Sequence, residues 1–198
     1  MVSTLLTLFA ALLVTITSLI LLLSRDWRWG IVTLAVQYLG VLGLTVTSWP
    51  IEMAMVKMVA GWMAGAVLGV SIANTPEAWH EPERFWPSGR IFRMAAASLV
   101  IIVVASLAPK AGDWLPSLAA PALWGGLILI GMGLLHLGLT DQPLRVVTGL
   151  LTLLSGFEVL YAAVETSVLV AGLLATVQLG LALTGAYLML APSEQEES

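Results

Sequence analysis

Residues 146–164 read VVTGLLTLLSGFEVLYAAV, and residues 51–70 read IEMAMVKMVAGWMAGAVLGV. Each matches the length of apolar helix that crosses a bilayer core, about 20 residues. Each also holds a charge well inside it: Glu158 in the first stretch and Lys57 in the second. Even on the mildest scales, a charge at the bilayer centre costs about 2.5–3.5 kcal/mol. A chain that keeps two such charges needs a partner or a task for them.

The rest of the sequence is of the same kind. Of 198 residues, 59% are hydrophobic and only 10% are charged, against about 25% charged in a soluble domain. The mean hydropathy is +0.98. These values predict an all-α, polytopic membrane protein with about seven transmembrane helices. The expected spans are Thr4–Leu23, Gly30–Thr47, Ile51–Ala73, Ile91–Ala108, Ala120–Leu139, Arg145–Val164 and Ser167–Ala191. The breaks between them are SRDWRW, SWP, the long NTPEAWHEPERFWPSG, PKAGDWLPS, TDQP and ET. The prolines fall in breaks or at helix edges, where a missing N–H matters little. Apart from Trp62, the tryptophans lie near the breaks, as in the aromatic belts of membrane interfaces. The first span lacks a basic n-region and a small-residue cleavage site, so it is expected to be a retained helix.

Several function classes drop out. The short loops leave no room for a soluble catalytic domain. The chain has no cysteine, which excludes disulfides, thiolate metal sites and iron–sulfur clusters. Two histidines, His80 and His136, are too few for a metal cage, and no metal or other cofactor is expected. The 8 basic residues are spread over the chain, which argues against nucleic-acid binding. The partners expected are the lipid bilayer and other membrane proteins. Glu194, Glu196 and Glu197 are expected to form a solvated acidic tail.

Arginine sets the orientation. Arg25, Arg28, Arg84, Arg90, Arg93 and Arg145 fall on one side of the predicted spans and Lys110 on the other. The positive-inside rule then places the N-terminus outside and the C-terminus in the cytoplasm, across an inner (cytoplasmic) membrane. Helices 1–3 and 5–7 run in the same sense, joined by a single crossing. This gives a 3+1+3 layout: a triplet over 1–73, an interfacial loop and linking helix over 74–119, and a second triplet over 120–198. A shift of about 115 residues, the spacing of two parallel repeats, aligns GIVTLAVQYLG with RVVTGLLTLLS, and Gly65 with Gly180. The loop with Trp79, Phe85 and Trp86 is expected to lie along the cytoplasmic interface, as a connector or as a docking surface.

Helix 6 is the most polar span. Thr148, Thr152, Ser155, Glu158 and Glu165 recur at steps of three, four and seven, which keeps them on one side of a helix. A carboxyl held away from water can take up and release a proton, and hydroxyls beside it can order waters; this is the make-up of an intramembrane proton relay. Glu158 is the leading candidate and Glu165, near the end of the span, a lesser one. A neutral Glu158 bonded to a neighbouring helix is the structural alternative. Lys57 either snorkels to the outer interface, about 9–10 Å away at 1.5 Å per residue, or pairs with an internal carboxylate. Gln178, Thr176 and Gln37 read as interhelical hydrogen-bonding groups. His136 reads as a titrating group or an interfacial anchor. Gly61, Gly65 and Gly69 form a small-residue face suited to close helix packing.

The last third of the chain resembles the three-helix small subunit of complex I (subunit K, or chain 4L) and its relative in Mrp antiporters. The shared pattern is an apolar helix, a polar turn with arginine, a helix with Gly156-Phe157-Glu158, and a third helix ending in Gly180-Leu181-Ala182-Leu183. The whole chain resembles hydrogenase-4 component E, with Lys57, Leu144-Arg145 and Gly149 as matching points. It departs from subunit K on the third helix, where Thr176 or Gln178 stands in place of a carboxylate. Anchored on Gly149, Glu158 also lies two turns beyond the family's first glutamate.

The resemblance implies a non-redox subunit in the membrane arm of a complex-I-like, group 4 hydrogenase-like or Mrp-like ion-translocating complex. Antiporter-like subunits would be its partners. The expected proton-relay residues are Glu158, Lys57 and Glu165, with Thr148, Thr152, Ser155, Gln178 and His136 in support. No bond chemistry is expected of this chain alone. The alternatives are a purely structural accessory subunit and a stand-alone small transporter.

Overall fold

The computed structural model describes residues 2–24, 26–75 and 89–191. They form seven helices: α1 (Val2–Leu23), α2 (Trp27–Thr45), α3 (Ile51–Ala73), α4 (Arg90–Trp114), α5 (Ala120–Gly138), α6 (Pro143–Tyr161) and α7 (Val168–Leu190). There is no strand among the described residues. Six helices are long and apolar enough to cross a membrane: α1 from Thr4, and α3 to α7. α2 falls outside this set, since Arg28, Gln37 and Tyr38 lower its hydropathy.

Some helix ends differ from the sequence expectation for local reasons. α2 starts three residues early because Asp26 caps it, its Oδ1 accepting the Arg28 N–H at 2.9 Å. An aspartate at this position satisfies one of the open N–H groups of the first turn. α4 continues through Pro109 to Trp114, where a break was expected at PKAGDWLPS. Membrane helices tolerate a proline whose freed backbone groups find other partners. α6 ends at Tyr161, and the chain turns through Ala162–Val164 before Glu165. Arg25, the segment 76–88 with His80, Trp79, Arg84, Phe85 and Trp86, and the acidic tail from 192 onward lie outside the described residues.

The helices form two rows. α1 packs on α2 and α2 on α3; α5 packs on α6 and α6 on α7. Across the rows α1 meets α5, α2 meets α6 and α3 meets α7. These are the pairs that the 115-residue shift matches. α4 lies outside the rows, against α5 and the edge of α1. Glycines set the closest approaches. A Cβ at Gly133 would sit 2.7 Å from the backbone N of Leu153, and one at Gly156 would sit 2.6 Å from the Gly126 carbonyl. The α5–α6 seam is therefore backbone against backbone, as small residues permit.

Side-chain bonds bring the helix ends together in two sets. Arg93 donates to the Leu22 carbonyl at 3.1 Å and Arg145 to the Ser24 carbonyl at 2.8 Å. This places the end of α1 beside the starts of α4 and α6. At the opposite end, the Trp49 indole donates to the Glu165 carbonyl at 2.9 Å, and Ser117 to the Ala163 carbonyl at 3.3 Å. The helices thus alternate in direction between an arginine-bearing end and a Trp49 end.

Candidate functional site

The two intramembrane charges meet. The Lys57 ammonium forms an ion pair with Glu158 Oε2, and the two side chains are 6% and 1% exposed. Of the two fates open to Lys57, the structure shows pairing. α3 carries the lysine and α6 the glutamate. The helices share few direct contacts, and the long lysine stem bridges the gap between the rows.

Two further helices complete the site. Gln178 of α7 donates from Nε2 to Glu158 Oε2 and to the Tyr38 hydroxyl, both at 3.3 Å. The Ser155 side chain lies within reach of the Tyr38 hydroxyl. The Lys57 Nζ lies 5.9 Å from the Tyr38 ring centroid, within the range at which an aromatic face attracts a cation. The result is a closed cluster from α2, α3, α6 and α7 in which each member is buried. It is not saturated: Gln178 Oε1, and Gln37 Oε1 one residue from Tyr38, have no hydrogen-bond partner within the described protein. Such buried acceptors are usual sites for ordered water.

Tyr38 is the member that sequence reasoning did not single out. Its ring lies against Gly61, where any Cβ would overlap it. One glycine of the Gly61–Gly65–Gly69 face therefore makes room for a site residue. The adjacent polar pair Gln37-Tyr38 inside an apolar span was the available signal. For α7 the structure also chooses between the two candidate positions. Gln178 is buried in the cluster, while Thr176 is exposed and bonded to its own helix at Gly172.

The remaining candidates divide. Thr148, Thr152 and Ser155 lie buried along α6 on the Glu158 side. Thr148 donates to the Arg145 carbonyl at 2.9 Å and Thr152 to the Thr148 carbonyl at 2.8 Å. Glu165 does not join the cluster. It lies beyond the end of α6, exposed, and accepts the Thr166 N–H at 3.1 Å. His136 is buried in the last turn of α5 at the arginine-bearing end, where it lines a small cavity with Arg145 and Thr148.

The arrangement suits the movement or storage of a proton: a carboxylate, an ammonium, a phenol and hydroxyls in mutual contact, shielded from bulk water. No family model, no curated protein and no solved structure matches this chain.

Proposed function

We propose that this chain is a non-redox subunit of an ion-translocating membrane complex of the complex-I, group 4 hydrogenase or Mrp-antiporter kind. In this reading the Lys57–Glu158 pair is part of its proton-carrying axis. The observation that carries the proposal is the pair itself, buried between two rows of helices and tied to Tyr38 and Gln178. The resemblance of the last third to subunit K supports it.

In this reading α2 also crosses the membrane, giving seven spans in a 3+1+3 layout. The N-terminus is outside, and the arginine-bearing end and the C-terminus face the cytoplasm, across the inner membrane. The chain holds no cofactor; a partner's redox step would act on it by changing the hydration and charge around Glu158. An antiporter-like neighbour accords with the outer face of α7. There Gly172, Thr176, Gly180 and Thr184 recur every fourth residue and are exposed, and a Cβ at Gly172 or Gly180 would meet nothing within 4 Å. Small residues at this spacing let another helix approach closely.

A structural role is the second reading, favoured by one observation: Glu158 binds α3 and α7 together. Glu158→Gln separates the two. Loss of proton pumping by an assembled complex supports the relay. Loss of assembly, with normal pumping in whatever still assembles, supports the structural role.

A further inference from the structure

The ion pair lies much nearer one end of the bundle than the other. Glu158 is three residues from the Tyr161 end of α6, about 5 Å at 1.5 Å per residue. From Pro143, at the arginine-bearing end, it is 15 residues, about 22 Å. Apolar side chains lie along the short way. Trp49, Met53 and Ala162 form a buried cluster there, with Tyr161 and Ala171 against it. The Trp49 indole is held in place by the Glu165 carbonyl.

The long way carries polar side chains among apolar ones such as Leu21, Ile31, Ile72 and Met189. At the arginine-bearing end a cavity of about 40 Å³ is lined by Ser24, Asp26, His136, Gln142, Arg145 and Thr148, among others. At about 10–15 Å³ per water, it has room for about three waters. Its rim residues Ser24 and Gln142 are partly exposed and Asp26 is exposed. From Thr148 onward the buried hydroxyls of Thr152 and Ser155 continue along α6 to the pair. The two threonine hydroxyls spend their protons on helix carbonyls and keep lone pairs free to accept from water. Beside Ser155 stands Tyr38, whose hydroxyl accepts from Gln178, and the Gln178 Oε1 is an open buried acceptor.

We infer that the Lys57–Glu158 pair exchanges protons with only one aqueous face, the distant arginine-bearing one, through the cavity at Thr148 and the Thr152–Ser155 column, and is sealed from the nearer face by the Trp49–Met53–Ala162 cluster. The inference deepens the proton-carrying reading above and rests on it for its purpose. The route itself is a statement about water access.

The absence of cysteine makes the route directly testable. Single cysteines are placed at Thr148, Thr152, Met53 and Ala162 of the full chain in its native membranes. Sealed vesicles of each orientation are exposed to silver ion, which is about the size of a water molecule. After washing and denaturation, the free thiols are counted with a maleimide. Thr148→Cys and Thr152→Cys are expected to lose maleimide labelling only when silver meets the arginine-bearing face. Met53→Cys and Ala162→Cys are expected to keep it from both faces. An unblocked Thr152→Cys, or a Met53→Cys or Ala162→Cys blocked from the near face, overturns the route. If Thr152→Cys does not accumulate, the near-isosteric Ser155→Cys decides in its place. Because labelling does not read pumping, the two failures are distinguishable. Normal pumping in Glu158→Gln would sink the proton-carrying reading and leave the route standing. An unblocked column with pumping lost in Glu158→Gln would do the reverse.

Discussion

Lys57 and Glu158 neutralise one another, so neither is replaceable alone. Removing one member of a buried pair strands the other charge and costs about 3–5 kcal/mol. Replacing both by apolar side chains of similar volume is often neutral or stabilising. Lys57→Met is therefore expected to lower the thermal unfolding midpoint of the protein in mild detergent. Adding Glu158→Leu is expected to restore it. The stable double variant then asks the functional question cleanly: an assembled complex that pumps normally with this variant would reduce the pair to a structural link. Gly61 is the second sensitive residue. Tyr38 is 1% exposed and packed on it, so Gly61→Ala is an overpacking change, worth about 1–3 kcal/mol. At Gly65 the nearest atom is a Leu34 methyl 4.0 Å from an added Cβ. Gly65→Ala is expected to unfold with the wild type, and equal losses at the two glycines would argue against the placement of Tyr38.

Among the elements, the seams between helices differ in what they tolerate. α5 and α6 touch through backbone at Gly133 and Gly156, so a methyl there cannot be absorbed by turning a side chain. Gly133→Ala is expected to destabilise the bundle by about 1–3 kcal/mol, read as a drop in unfolding temperature. Gly172→Ala and Gly180→Ala, on the open face of α7, are expected to leave that temperature unchanged. Gly180→Leu is expected to weaken co-purification with a neighbouring membrane subunit while the isolated chain stays folded. Co-purification as strong as wild type would remove α7 as the docking face. Most helix positions were legible in the sequence, because apolar runs of spanning length broken by polar turns leave little choice. The passage of α4 through Pro109 was not, since proline's local cost says nothing of what the surrounding helices offer its neighbours. Nor was the partner of Lys57. Sequence places the lysine and the glutamate each within a span, but which helices stand side by side is decided by glycine seams and row packing, which hydropathy does not encode. Glu165 shows the opposite error. A step of seven keeps it on the Glu158 face only while the helix lasts, and α6 ends at Tyr161.

For the whole molecule, the number of crossings fixes where the two termini lie, and α2 decides that number. It is 19 residues long, and Arg28, Gln37 and Tyr38 make it more polar than its neighbours. Yet Gln37 and Tyr38 are buried, so they do not face lipid, and apart from Arg28 in its first turn the remainder of the helix is mainly apolar. Its start helps line the cavity at the arginine-bearing end, through Trp27 and Gly30. Its exit leads to Trp49, at the opposite end beside Glu165. A helix that runs from one end of the bundle to the other, between α1 and α3, is the seventh crossing of the proposed 3+1+3 layout. Seven crossings put the termini on opposite faces, whereas six would put them on the same face. In the proposed reading, with Arg28, Arg93 and Arg145 gathered at one end, the positive-inside rule would turn that end to the cytoplasm. A reporter active only in the cytoplasm is therefore expected to work when fused after Ser198 and to fail when fused before Met1. A reporter active only outside should give the reverse pattern. Both termini reporting from one face would mean that α2 does not cross, and would remove the alternation of direction on which the one-sided route to Glu158 depends.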